Sequence, residues 1–288
     1  MLCCMTSNAR TPKARALGNA LRQAREAQGL SLRALAKELD KDPGVVSRWE
    51  NGERTPKATD VAQILTLLGV NGSRYDEIVE LTTDTTAKQW LAVTLPELRQ
   101  QLTALLDLEK SASAITEVTP NLIPGLLQTS DYVRAIMSSG GVPEDEIETR
   151  VAVRLGRADA IRRSKPARYL ALVGEAALRQ VIGPRDSMIY QLRYLREASE
   201  MPHVDVRVLT YTSGWQPALE GHFLFIESEQ LGPVVHLENR RSGIFFHEGP
   251  DVESYGHAID MVIEHALDAQ ESVELISRII NELENDDG

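Results

Sequence analysis

The residues able to do chemistry are thinly spread along this 288-residue chain. His222, His236, His247, His257 and His265 are scattered, without the HExxH or cupin-like His/Glu spacing that would close a metal site. Cys3 and Cys4 are adjacent and are the whole cysteine complement. They can neither staple a fold nor complete a metal cage. No GxSxG, Walker A or GxGxxG run occurs, so hydrolase, phosphate-loop and dinucleotide chemistry all lack their signature. An enzyme is therefore the least supported class, and no catalytic residue, metal or cofactor is expected. The remaining pattern is cationic. Arg150, Arg154 and Arg157 fall at i, i+4 and i+7 on one helical face, and Arg162-Arg163-Ser164-Lys165 extends the strip. Such a run reads either as a solvated face offset by neighbouring acids or as an anion site.

The elements that must position side chains are clearest near the N-terminus. Leu17, Leu21 and Ala24 recur on one face of a first helix stopped by Gly29. Ser31 is a cap for a second, Leu32 to Leu39. Asp42 caps and Pro43 opens a third, which runs to Asn51 and ends at Gly52. A fourth spans about Lys57 to Leu68 and a fifth about Arg74 to Leu81. The stretch from Ser31 to Gly52 is a helix-turn-helix. Ala36 is small enough for the close crossing, Asp40 holds the left-handed turn position, and Val46, with Trp49 nearby, pins the later helix to the earlier. Helices joined in this way can project the second into a major groove.

The set Leu21-Arg-Gln-Ala-Arg25, Gly29-Leu-Ser31, Leu35-Ala36, Val46-Ser-Arg-Trp-Glu-Asn-Gly52 and Thr55-Pro56 resembles the XRE family, whose lambda-repressor-like DNA-binding domains are all-α with five helices. The resemblance covers about Leu17 to Leu81. It implies that Arg25 and Glu50 form a partly buried structural ion pair between the first helix and the end of the third. It implies that Ser31, Asn51, Arg54 and Lys57 contact DNA phosphates, with Lys41 on phosphate or in solvent. It places base reading at Asp42, Pro43, Gly44, Ser47 and Arg48. Pro43 and Gly44 depart from the Gln, Ser or Thr of many relatives and offer no side-chain donor. Ser47 and Arg48 must then carry most direct readout, Arg48 through guanine O6/N7 or else as a phosphate contact.

The net charge of −11 speaks against nucleic acid only as a total. Residues 1–57 carry 11 Lys+Arg and 6 Asp+Glu, a net of +5, which leaves −16 for the rest. Phosphate is held by local positive surface, so the basic stretch is the candidate reader. The sequence suggests a disordered segment over 1–13, a DNA-binding domain over 14–86 and an α+β regulatory or partner-binding domain over 87–288. In the last, helices are expected near 96–111, 130–138, 144–164, 175–181, 186–200, 252–267 and 271–283. Strands are expected near 115–118, 168–173, 204–209, 222–226, 234–237 and 244–246, antiparallel in style. Ile276, Ile279, Ile280 and Leu283 form a stripe that suits a core or a dimer seam. No apolar run approaches the ~18 residues of a membrane span, and with no signal-peptide pattern a cytoplasmic protein is expected.

The run Thr119-Pro-Asn-Leu-Ile-Pro-Gly-Leu-Leu-Gln-Thr-Ser-Asp-Tyr132 is similar to the C-terminal domain of antitoxin-like XRE-family regulators of actinomycetes. Arg150-Val-Ala-Val-Arg154, Gly174-Glu-Ala-Ala-Leu-Arg179, Gln191-Leu-Arg-Tyr-Leu195, Val206-Arg-Val-Leu209 and Gly221-His-Phe223 agree with it. The resemblance implies a transcriptional regulator that binds double-stranded DNA at an inverted-repeat operator as a homodimer. It also implies a small acidic partner protein encoded nearby, which some members neutralise as antitoxins. A small-molecule-responsive receptor is the third expectation.

Overall fold

The computed structural model describes residues 11–83, 85, 87, 89–229 and 232–285. In chain order the elements are α1 (Pro12–Ala27), α2 (Leu32–Glu38), α3 (Pro43–Glu50), α4 (Ala58–Leu67), α5 (Gly72–Glu80), β1 (Gln89–Ala92), α6 (Leu95–Ser111), β2 (Ala114–Thr119), α7 (Ser130–Ser139), α8 (Glu144–Gly156) and α9 (Asp159–Arg162). They continue with β3 (Arg168–Gly174), α10 (Glu175–Arg179), α11 (Arg185–Ala198), β4 (Val204–Leu209), β5 (Phe223–Ser228), β6 (Gly232–Asn239), β7 (Ser242–Phe246), α12 (Gly249–His265) and α13 (Ala269–Asn285). The architecture is a helical N-terminal region followed by an α+β region. Of the stretch expected to be disordered, residues 1–10 lie outside the described residues, with Cys3 and Cys4 among them. Thr11 caps α1, its hydroxyl accepting from Ala14 N at 3.0 Å.

Two compact units follow from the contact pattern. The first is Met1–Asp107 with Glu238–Glu248, the second Leu108–Leu237 with Gly249–Gly288. The first unit extends past residue 86 because β1 pairs antiparallel with β7, Gln89 opposite Phe246 and Ala92 opposite Gly243. Four residues with no flanking turn signal gave no period to detect, so this strand was not legible in the sequence. Trp90 and Phe245 stack across the pair with centroids 5.8 Å apart. The helical core of this unit buries Leu17, Leu21, Leu35, Ala36, Val46, Trp49, Val61, Ile64, Leu65 and Ile78.

In the second unit the strands run β6-β5-β2-β3-β4. β2 pairs parallel with β3, and β3 parallel with β4, whereas β5 is antiparallel to both β2 and β6. The antiparallel expectation is thus corrected for three strands. Helices α7–α9 and α10–α11 are the crossovers that parallel pairing demands. The single helix expected over 144–164 is also corrected. It stops at Gly156, the residue type with the poorest helix propensity short of Pro, and resumes at Asp159. Arg157, in the break, is 7% exposed and turns inward to Glu109, Nη2 to Oε1 at 2.7 Å. Arg150 instead pairs with Glu146 in solvent. The three arginines therefore do not form one free basic strip. Ile276, Ile279 and Ile280 are buried inside their own unit, which favours the core reading of the C-terminal stripe.

The run Thr119–Tyr132 is held by hydrogen bonds from its own side chains and neighbours. Gln128 Nε2 donates to Ile123 O at 2.8 Å, Ile123 N to Tyr132 Oη at 3.2 Å, and Gln191 Nε2 to Leu127 O at 2.8 Å. Below it, buried Glu117 accepts from Gly125 N at 2.8 Å and from Tyr169 Oη at 2.6 Å, and lies 3.2 Å from His222 Nε2. These bonds answer the cost of burying a carboxylate. Burial by itself would raise the Glu117 pKa. The hydrogen bond and charge of His222, then Arg157 and the Gly125 N–H, outweigh burial and hold it at about 2. His236 goes the other way for an imidazole. Burial, with Arg157 and His222 adding repulsion, lowers it to about 3.

Both shifts make the fold acid-sensitive. Unfolded His236 takes a proton near its ordinary 6.5, while the folded ring stays neutral to about 3, so its stabilising effect is lost progressively between those values. The Glu117 contribution is present above the ordinary 4.5 and disappears as pH falls through about 2. Urea midpoints should be flat between about pH 7 and 9 and decline below 6.5. His236→Gln should flatten the slope between 6.5 and 4.5, with a residue left by His247, which burial also lowers.

Candidate nucleic-acid interface

Three local devices build the site. Ser31 caps α2, its Oγ accepting from Ala34 N at 3.2 Å, so its own hydrogen remains available to an external acceptor. After Leu39 the chain reverses through Asp40, which at φ 51° is the one non-glycine in the left-handed region among the described residues. That turn lets Lys41 N return to Ala36 O at 2.9 Å. Asp42 then caps α3, Oδ1 accepting from Gly44 N at 2.8 Å, and Pro43 takes the first helical position.

Close approach of α1 fixes the far end of α3. A Cβ on Gly18 would fall 2.5 Å from Trp49 O and 2.7 Å from Glu50 O, so only glycine fits there. Arg25 Nε donates to Glu50 Oε1 at 2.7 Å and Nη2 to Oε2 at 2.9 Å. Both side chains are buried, Arg25 8% and Glu50 2% exposed. The Glu50 hydrogen bond raises the Arg25 pKa against burial, so the guanidinium stays charged. Arg25 also donates to Leu30 O at 2.7 Å, which ties the start of α2 to the same point. Arg22 was not singled out in the sequence, yet its Nη2 reaches Glu50 O at 3.2 Å and Asn51 Oδ1. Its spacing of three from Arg25 was the available signal, hidden because helix periodicity marks apolar faces and not salt-bridging ones.

On α3, Val46, Trp49 and Glu50 face inward. The opposite face carries Gly44, Arg48 and Asn51, with Pro43 and Ser47 beside them. Asn51 Nδ2 donates to Ser47 Oγ at 3.4 Å, and with Arg22 on its oxygen the amide is held from both ends. Arg48 is exposed, and its guanidinium lies over Gly44, with Nη1 3.4 Å from where a Cβ would sit. The bare Gly44 thus makes room for the arginine. Ser31, Lys41, Asp42, Pro43, Asn51, Arg54 and Lys57 are exposed, and Gly44 and Ser47 half-buried. Lys41 Nζ stands 3.5 Å from Asp60, a weak exposed pair. The structure places all these residues within the α2–α3 segment and the loop after it. Asp42, tied to the backbone of its own helix, is better suited to capping than to accepting from a base.

Residues 16–78 match a family described as Helix-turn-helix domain, and a unit of this kind supports DNA binding. Residues 102–278, more than half of the chain, match the family described as Domain of unknown function (DUF5753), and the chain belongs to that family. No curated protein and no solved structure matches the chain. Among the described residues no helix is long and apolar enough to cross a membrane.

Two substitutions test the scaffold. Glu50→Ala strands a buried guanidinium and should cost about 3–5 kcal/mol of unfolding free energy in urea titration. Asp40→Gly relieves a left-handed residue and should stabilise by about 0.5–1 kcal/mol, read as a higher melting temperature with DNA affinity unchanged.

Proposed function

We propose that the protein is a sequence-specific DNA-binding transcriptional regulator that acts by binding and not by catalysis. The observation that carries this reading is the exposed face of α3, with Ser47 and an exposed Arg48 that has no carboxylate partner among the described residues, on a helix anchored by the Arg25–Glu50 pair. Arg48 suits guanine O6 and N7, and Ser47, whose oxygen already accepts from Asn51, keeps its hydrogen for a base or phosphate. Pro43 and Gly44 contribute small apolar surface that admits the groove edge. Ser31, Lys41, Asn51, Arg54 and Lys57 serve as phosphate contacts, which set position but not sequence.

Under this reading two copies bind an inverted-repeat operator in the cytoplasm, with their α3 helices about 34 Å apart, one helical turn of DNA. Residues beyond 107 supply dimerisation and the sensing of a partner or signal. The similarity of Thr119–Tyr132 to antitoxin-like regulators supports a second role for that region, neutralising a small acidic protein, with DNA binding as autoregulation. Co-purification with the neighbouring gene product tests that role.

Footprinting should reveal a protected palindromic site. Arg48→Ala should weaken operator affinity by about 1–3 kcal/mol and relax specificity at one base pair. Arg54→Ala and Lys57→Ala should weaken all sequences alike and each lower the salt slope by about 1. Absence of any protected site, with Arg48→Ala at wild-type affinity, would sink the proposal.

A further inference from the structure

Several arginines of the second unit have an acidic partner. Arg134 pairs with Asp131 and Glu148, Arg179 with Glu175 and Glu282, Arg193 with Glu284 and Arg207 with Asp205. A group of cations of another kind lies at the amino-terminal ends of β2 and β3. There Lys110, Arg163 and Lys165 line one open cleft of about 470 Å³. None of the three has a carboxylate partner among the described residues, and neither does neighbouring Arg168, whose backbone N–H donates to Ser113 O at 3.0 Å.

The cleft is built and not merely charged. Arg163 is fixed by two carbonyls, Nε on Lys165 O at 2.8 Å and Nη2 on Ala112 O at 2.6 Å. Its cation is therefore pre-positioned, which lowers the entropy cost of capturing an anion. On the wall, Ser113 Oγ donates to Glu227 O at 3.2 Å. Its hydrogen is committed, so it presents lone pairs, which suit a ligand hydroxyl and not a phosphate oxygen. Glu229, on the same wall, is a further acceptor and repels a second anion from that side. The lining contains no aromatic ring on which a nucleobase could stack.

We propose that this cleft binds a small phosphorylated polyol or sugar, its phosphate on Lys110, Arg163 and Lys165 and its hydroxyls on Ser113 and Glu229. The volume falls in the range of about 300–1,000 Å³ usual for small-molecule sites. The unpaired cations are explained at the same time. The site gives the acidic region a ligand of defined chemistry, independent of whether the helical region binds DNA.

The test is calorimetric titration of the full-length protein at low salt with ribose 5-phosphate, glycerol 3-phosphate, inorganic phosphate and unphosphorylated ribose. Saturable binding is expected for the two esters, weaker binding for inorganic phosphate and none for ribose. The double variant Lys110→Glu/Lys165→Glu removes two exposed cations that hold no part of the fold together. It should keep its melting temperature while ester binding weakens on the order of tenfold or more. No saturable binding of either ester, or unchanged affinity in the variant, would overturn the proposal. So would inorganic phosphate binding as tightly as the esters, since the hydroxyl acceptors would then contribute nothing. The titration uses no DNA, so its failure leaves the reading of α3 untouched.

Discussion

The helical unit depends on one buried ion pair, Arg25 with Glu50. Two charges taken out of water are tolerable only when each satisfies the other and the surplus donors find partners. Here the geometry is two-pronged, and the remaining guanidinium nitrogen reaches Leu30 O. That single cation thus joins α1, the entry to α2 and the end of α3. A helix with one face left to solvent must be held from the other. The pair does this from the inward face, and Gly18 permits it by letting α1 lie against the α3 carbonyls.

Charge is handled differently in the two units. In the helical unit Arg48, Arg54 and Lys57 are left exposed while Asp42, Glu50 and Asp60 are engaged in a cap or ion pairs. Asp42 caps α3, Glu50 holds Arg25, and Asp60 lies beside Lys41. Net charge of the whole chain says little about such a surface, because screening confines each charge's influence to about 8–10 Å in physiological salt. The local balance is what a phosphate would meet. In the second unit several arginines are neutralised by neighbouring carboxylates, whereas Arg163 is held by carbonyls instead.

The second unit also shows why buried polar residues recur in its most recognisable segments. Glu117, Gln128, Thr129 and Gln191 are all buried and all hydrogen-bonded to the Thr119–Tyr132 run or to each other's partners. Irregular backbone inside a fold must have its N–H and C=O groups satisfied. These side chains do that work, so the sequence signature there is a structural one, and a ligand need not be invoked to explain it.

Legibility in the sequence followed locality. Caps at Ser31 and Asp42, the left-handed Asp40 and the apolar faces of the first three helices are properties of neighbours within a few residues, and they could be read directly. So could the identity of the face carrying Ser47 and Arg48, because helical geometry fixes which residues share a side. Strand direction could not, since parallel and antiparallel strands use the same residue types and differ only in what pairs with them across the sheet. The inward turn of Arg157, the anchoring of Asn51 by Arg22 and the cleft between Lys110 and Lys165 were equally hidden. By itself the sequence determined the helix-turn-helix and which of its residues share a face. The tertiary structure alone decided which cations are spent on internal carboxylates and which stay free, because pairing depends on distance in space and not on spacing along the chain.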